Sequence, residues 1–361
     1  MGDDKPIEAL KSSNNTVIIG EAINLNQDLY AIIDASINFT PSLGIPIHGI
    51  IGYDVFKYFV VEINYSRNFI KLHNPLYYDS KLSRKWRTSN LTFYNNKPII
   101  KASVTNRNQV VPVNLLIYTG GSDALWIFED SSESLKIPTY TFDDFLGKGL
   151  SGNIYGKRSV FESFRLKDFQ LNMVNVSFPD SSSIQKTKIN KLRNGSLLGN
   201  VLHRFNWVFN YKSQWLAFKK NKFFNNPFEY NKSGITMQYA GVRLVKTRTR
   251  IPSDTIGSGS EATSPNSNTI YFTSSYKFKI VPELVISDVR LGSPADKAGL
   301  KTGDTVLSIN HQNLNLLTLQ KAIAQFYGVD GKRIKMTIER EGVIMKYQFE
   351  LRDLLQKKST N

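Results

Sequence analysis

Residues 292–310, GSPADKAGLKTGDTVLSIN, decide the architecture of the C-terminal third. Ser293 is a good helix N-cap, and Pro294 follows at the first helical position, where its missing N–H costs nothing. Gly299 suits the left-handed stop of a short helix. Gly303-Asp304 reads as a turn, and Thr305–Ile309 alternates as a strand. A second helix is predicted over Leu319–Tyr327, with Leu319, Ile323 and Phe326 on one face. Two strands, Arg333–Glu339 and Ile344–Leu351, close the unit.

This stretch resembles a PDZ domain. The resemblance implies an α+β unit over residues 276–355 that holds a peptide as an added strand between its second strand and second helix. It also implies a peptide carboxylate seated in a nest of backbone amides at a glycine-containing loop. The corresponding stretch, Tyr276-Lys277-Phe278-Lys279-Ile280, has no glycine. The peptide-binding residues expected on this basis are Tyr276, Phe278, Ile280, Leu319 and Ile323.

Upstream, residues 251–269 (IPSDTIGSGSEATSPNSNT) carry almost no apolar content and read as a flexible linker. With a connecting strand they occupy 233–275. Before them, short β-branched and aromatic runs alternate with Asn, Gly, Ser and Asp clusters: Thr16–Ile19, Lys57–Asn64, Asn68–Leu72, Pro98–Val104 and Val113–Ile117. A repeat organises this region. GIIGYDVFKYFVVEINYSRNFIKL (49–72) recurs as SLLGNVLHRFNWVFNYKSQWLAF (196–218), with Gly52 and Gly199 separated by 147 residues. Two copies of one unit predict two related lobes.

Between them, residues 115–128 read LLIYTGGSDALWIF. Loop, glycine strands and duplication together resemble bacterial retropepsin-like (pepsin/retropepsin-type) aspartic proteases. Those proteins carry hydrophobic-hydrophobic-Asp-Thr-Gly in each lobe, with an aliphatic-aliphatic-Gly strand behind it. The resemblance implies a mainly β fold: two related aspartic-protease-like lobes (1–87, truncated, and 88–232) followed by the PDZ unit. Its chemistry needs two carboxylates sharing one proton. Here Tyr118 stands in the acid's seat, followed by Thr119, Gly120 and Ser122, and a neutral phenol cannot serve as the base. Asp123 lies past the loop, and Asp34 has no Thr-Gly after it. The repeat offset carries the partner of Tyr118 back before Met1, so the chain is expected to begin inside the first lobe. The resemblance therefore implies an aspartic endopeptidase family member that is inactive; the alternative is a non-enzymatic protein binding peptides through its cleft or PDZ groove. A glycine-rich flap is expected at Gly149, Leu150, Ser151 and Gly152.

Composition narrows the remaining choices. The chain has 361 residues, 41% of them hydrophobic, and no cysteine, which removes disulfides and thiolate sites. Its four histidines lack ligand spacing, so no metal or other cofactor is expected. The net charge of +16 is spread along the chain, densest at Lys186–Arg193 and Arg243–Arg250, and no nucleic-acid motif accompanies it. No transmembrane run or signal peptide is visible; a lost upstream export signal would place the protein in the periplasm or on the cell surface. A truncated first lobe would expose apolar surface along Ile50–Phe69 and favour self-association.

Overall fold

The structure is a computed structural model that describes residues 8–34, 37–78, 82–150, 152–184, 192–249, 275–314 and 317–355. Ser151, the stretch from Lys186 to Lys191 and the 251–269 stretch lie outside the described residues.

The chain opens with an antiparallel hairpin, β1 (Leu10–Ile19) and β2 (Ala22–Ala31), that pairs with no other strand among the described residues. Its large apolar side chains, among them Ile18, Ile23 and Leu25, are exposed. Next come two short helices, α1 (Thr40–Leu43) and α2 (Tyr53–Tyr58). The sequence predicts a strand from Lys57, but Lys57 and Tyr58 end α2 instead. Asp54 in its first turn favours the helix, and Tyr53 and Phe56 dock their rings 5.8 and 4.9 Å from that of Tyr211.

β3 (Val60–Asn64) and β4 (Phe69–His73) follow, then β5 (Arg87–Asn90), β6 (Thr92–Tyr94), β7 (Lys97–Asn106), β8 (Gln109–Ile117) and β9 (Leu125–Ile127). The long strands β10 (Phe142–Gly149), β11 (Gly152–Leu166) and β12 (Phe169–Pro179) lead through α3 (Ser181–Ile184) to β13 (Gly195–Leu197), α4 (Gly199–Leu202), β14 (Phe205–Asn210) and β15 (Trp215–Lys220). Eight of these form one sheet, ordered β10-β11-β12-β9-β13-β8-β7-β6, and five form another, ordered β4-β3-β14-β15-β5. The two copies of the repeat meet in the second sheet, where β3 pairs antiparallel with β14 and Asn64 lies opposite Asn206. One apolar core joins the two sheets. Trp207, Phe161, Phe164, Phe205 and Phe218 are fully buried in it, each worth about 1.5–3 kcal/mol of burial.

The C-terminal unit contains β16 (Ile235–Thr249), β17 (Ser275–Val289), α5 (Pro294–Ala298), β18 (Thr305–Ile309), β19 (Gln312–Asn313), α6 (Leu319–Ala324), β20 (Arg333–Arg340) and β21 (Val343–Glu350). Its sheet runs β16-β17-β18-β20-β21, with β19 on β18. The caps follow the sequence: the Asp296 N–H donates to Ser293 Oγ, and Gly299 stops α5 at φ 93°. α6 ends at Ala324 rather than Tyr327, although Phe326 stays buried. The sheet also reaches back to Ile235, so a strand that flanks the expected linker belongs to the same sheet as 275–289.

Candidate functional site

Two places carry the residues singled out by sequence. The first is the loop after β8. Strand β13 lies between β8 and β9, parallel to one and antiparallel to the other, with Gly195 opposite Leu115 and Ile127. Four backbone bonds pin the loop to β13 and the start of α4: Tyr118 N–H donates to Leu197 O at 2.9 Å, Leu198 N–H to Ala124 O at 3.0 Å, Gly199 N–H to Gly121 O at 2.8 Å, and Asn200 N–H to Asp123 O at 2.9 Å. Gly199 thus backs the loop, whereas Gly52 is the exposed N-cap residue of α2 with open space around it. The Tyr118 ring folds back over Gly120 and Gly121. Burial pushes its phenol above the ordinary range, so it is neutral at physiological pH. Thr119 and Ser122 are exposed.

Asp123 is engaged elsewhere. Its carboxylate accepts from Trp126 Nε1 at 2.6 Å, Ser177 Oγ at 3.0 Å and Arg158 Nη1 at 2.7 Å. Arg158 also reaches Asp144 at 2.5 Å, and Asp144 meets Arg290 of the C-terminal unit at 3.3 Å. Burial works to lower the Arg158 pKa, but Asp123 and Asp144 more than offset it, so the net direction is upward. Gly149, Leu150 and Gly152 form the turn of the β10–β11 hairpin, with Gly149 opposite Gly152. That hairpin carries Asp144 and Arg158, and its Tyr155 hydroxyl donates to Asp288 at 3.4 Å. It is therefore tied to the C-terminal unit by side chains from both of its strands.

His203 supports the loop from below. Its Nδ1 lies 3.1 Å from Gly199 O, and burial, aided by Arg204, lowers its pKa from the ordinary value of 6.5. The unfolded chain then binds more protons than the folded one below that value, so stability falls as pH drops through it. Urea midpoints taken from about pH 7.5 to about pH 5.5 should show this slope, and His203→Gln should flatten it.

The second place is the groove between β16 and α6. β16 is an edge strand; one side pairs with β17 and the other faces α6, where Leu319 N–H donates to Tyr239 Oη at 3.2 Å. Leu319 is buried and Ile323 half-buried against this strand's core. Tyr276, Phe278 and Ile280 do not join them. They lie exposed on the far arm of β17, where Ile280 pairs with Leu244 and Phe278 with Lys246. The strand beside the helix is Ile235–Tyr239, preceded by Gly234 at φ 83°. The signal for it was present: a glycine followed by alternating Ile235, Met237 and Tyr239. At this closed end the amides are occupied. Lys232 N–H donates to Phe326 O at 3.0 Å, Ser233 N–H to Asn231 Oδ1 at 3.0 Å, and Ile235 N–H to Ser233 Oγ at 3.0 Å.

Among the described residues no cluster of three or more His, Cys, Asp or Glu could hold a metal, and no helix is long and apolar enough to cross a membrane.

The fold and this groove define a mainly β protein with a C-terminal PDZ domain, and the PDZ-domain family matches residues 285–340. Carboxy-terminal processing protease CtpA of Bacillus subtilis (strain 168) is 33% identical over 60 residues, 17% of this chain and 13% of that protein. The match thus spans about an eighth of the relative's length. Among solved structures, the HtrA-type protease AlgW with decapeptide aligns over 84% of this chain and 98% of that one at 10% identity, with a TM-score of 0.23. AlgWS227A with tripeptide aligns over 74% and 65% at 14% identity, with a TM-score of 0.18.

These findings correct the retropepsin-like assignment. The curated relative matched is a carboxy-terminal processing protease rather than an aspartic protease. The physical reason is visible at the loop. Tyr118 closes over it with a neutral phenol, and the adjacent Asp123 is held by Trp126, Ser177 and Arg158. Tyr118, Thr119, Gly120 and Ser122, read as a degenerate form of the catalytic loop, carry no carboxylate of their own.

Proposed function

We propose that this protein binds peptides, taking an extended internal segment of a partner chain along the open edge of β16. The observation that carries this reading is the outer edge of β16 over Ile235–Tyr239, which faces α6 and pairs with no second strand among the described residues. Main-chain pairing along such an edge supplies affinity, and side-chain pockets supply selectivity. The occupied amides of Lys232, Ser233 and Ile235 favour an internal segment over a free carboxylate. Solved HtrA-type relatives carry a tripeptide and a decapeptide, in keeping with a peptide ligand.

The test is selection from a random peptide library displayed with free and with blocked C-termini, using the full chain. Selected peptides should bind equally well with the C-terminus amidated. Ile323→Arg, half-buried on the groove face, should weaken binding by about tenfold or more, roughly 1.4 kcal/mol, with an unchanged circular dichroism spectrum. Peptides that require a free carboxylate would overturn the internal-segment reading. Binding indifferent to Ile323→Arg would overturn the groove itself.

A further inference from the structure

The same groove already has a neighbour from the chain itself. Helix α1 runs alongside β16, although about 200 residues separate them in sequence. At its end, Gln320 Nε2 of α6 donates to the Leu43 carbonyl at 2.6 Å. Gly44 sits directly against Leu319: a Cβ at residue 44 would lie 2.9 Å from Leu319 Cβ and 3.2 Å from its Cδ2. Gly44 also has φ 68°, a left-handed conformation that glycine tolerates and a side chain resists. The turn is shaped locally. Thr40 N–H donates to Asn38 Oδ1 at 2.9 Å, Gly44 N–H to Thr40 O at 2.8 Å, and Ile47 N–H to Thr40 Oγ1 at 3.2 Å.

Resting on the groove reading above, we infer that residues 39–45 are the resident occupant of the PDZ groove, a strap that an incoming peptide must displace. A strand added along Ile235–Tyr239 has to pass the Tyr239–Leu319 end, and that is where Leu43 and Gly44 contact α6. The strap is lightly held. Leu43 and Ile45 remain about half exposed, at 49% and 52%, and among the described residues its side-chain bond to the helix is the one from Gln320. It lays no strand on β16, so beyond Ile235, whose N–H and carbonyl are bonded to Ser233 and Asn231, the edge's main-chain groups stay available to a ligand that moves it aside.

The test uses the full chain and two variants. Gly44→Val introduces both the clash with Leu319 and the φ penalty; Gln320→Ala removes the hydrogen bond and leaves Gly44 intact. Hydrogen exchange should accelerate about tenfold or more over residues 235–240 and 318–325 in Gly44→Val, with 333–350 unchanged. A labelled peptide of residues 38–47 (NFTPSLGIPI) should bind each variant at least about tenfold more tightly than the unaltered chain. Library peptides selected as above should gain affinity in parallel. Unchanged exchange with equal binding by all three chains overturns the strap and leaves the groove reading standing. Faster exchange with no peptide bound by any chain overturns both, reducing the α1 contact to packing.

Discussion

Arg158→Met should lower the unfolding free energy by about 3–5 kcal/mol, the cost of removing one partner from a buried charge cluster. The side chain is 16% exposed and lies between Asp123 and Asp144, which are 12% and 15% exposed. Methionine fills much of the volume but removes the cation that the two carboxylates share. Of the two carboxylates Arg290 pairs with Asp144, so Asp123 would keep only the neutral donors Trp126 and Ser177. Urea denaturation at neutral pH measures the loss. Combining Arg158→Met with Asp123→Asn should recover a substantial part of it, because Asp144 keeps Arg290 and the carboxylate left without a cation is then gone. A single variant of near-native stability would show that the cluster is hydrated.

Gly195→Ala should be nearly as damaging, costing roughly 4 kcal/mol or abolishing folding. A methyl group there would run into the carbonyl oxygen of Trp126 and press within 3.1 Å of Ile127 Cα. Both are backbone atoms of β9, so no rotamer change relieves the clash. β9 would have to leave β13, breaking the junction that positions Tyr118 and Gly199. The melting temperature and the proportion of soluble protein on expression report the effect. A normal melting temperature would mean that the β9–β13 spacing is wider than described.

Much of the C-terminal unit was legible because local chemistry and tertiary structure agree there. Ser293, Pro294, Gly299 and Gly303 each occupy the backbone setting their side chains favour. Its first strand was harder to see. A low-complexity stretch separates β16 from β17, and the distance between paired strands is invisible to local pattern. For the same reason Tyr276, Phe278 and Ile280 looked like groove residues: their alternation is that of a strand, but nothing local says which neighbour that strand meets. The loop at 118 shows a different limit. Its hydrophobic-hydrophobic-X-Thr-Gly-Gly frame specifies a backbone shape, and the Gly199 contact shows that the shape is made. Shape alone does not supply the acid, and Asp123 could not be seen from sequence to be committed to Arg158, 35 positions away. β propensity predicts a strand at Lys57 and Tyr58, and docking of Tyr53 and Phe56 on Tyr211 overrides it.

The contact between Gly44 and Leu319 has a consequence for ligand choice. A segment tethered to its own receptor competes as an intramolecular ligand, at an effective concentration set by the geometry of the intervening chain. A free peptide at ordinary cellular abundance faces that local excess, so modest affinity is not enough. Ligands presented in clusters, or held close by a second attachment to the same protein, face a much smaller handicap. The covalent connection between α1 and the rest of the chain thus sets a threshold that selects for avidity, without any additional contact at the groove.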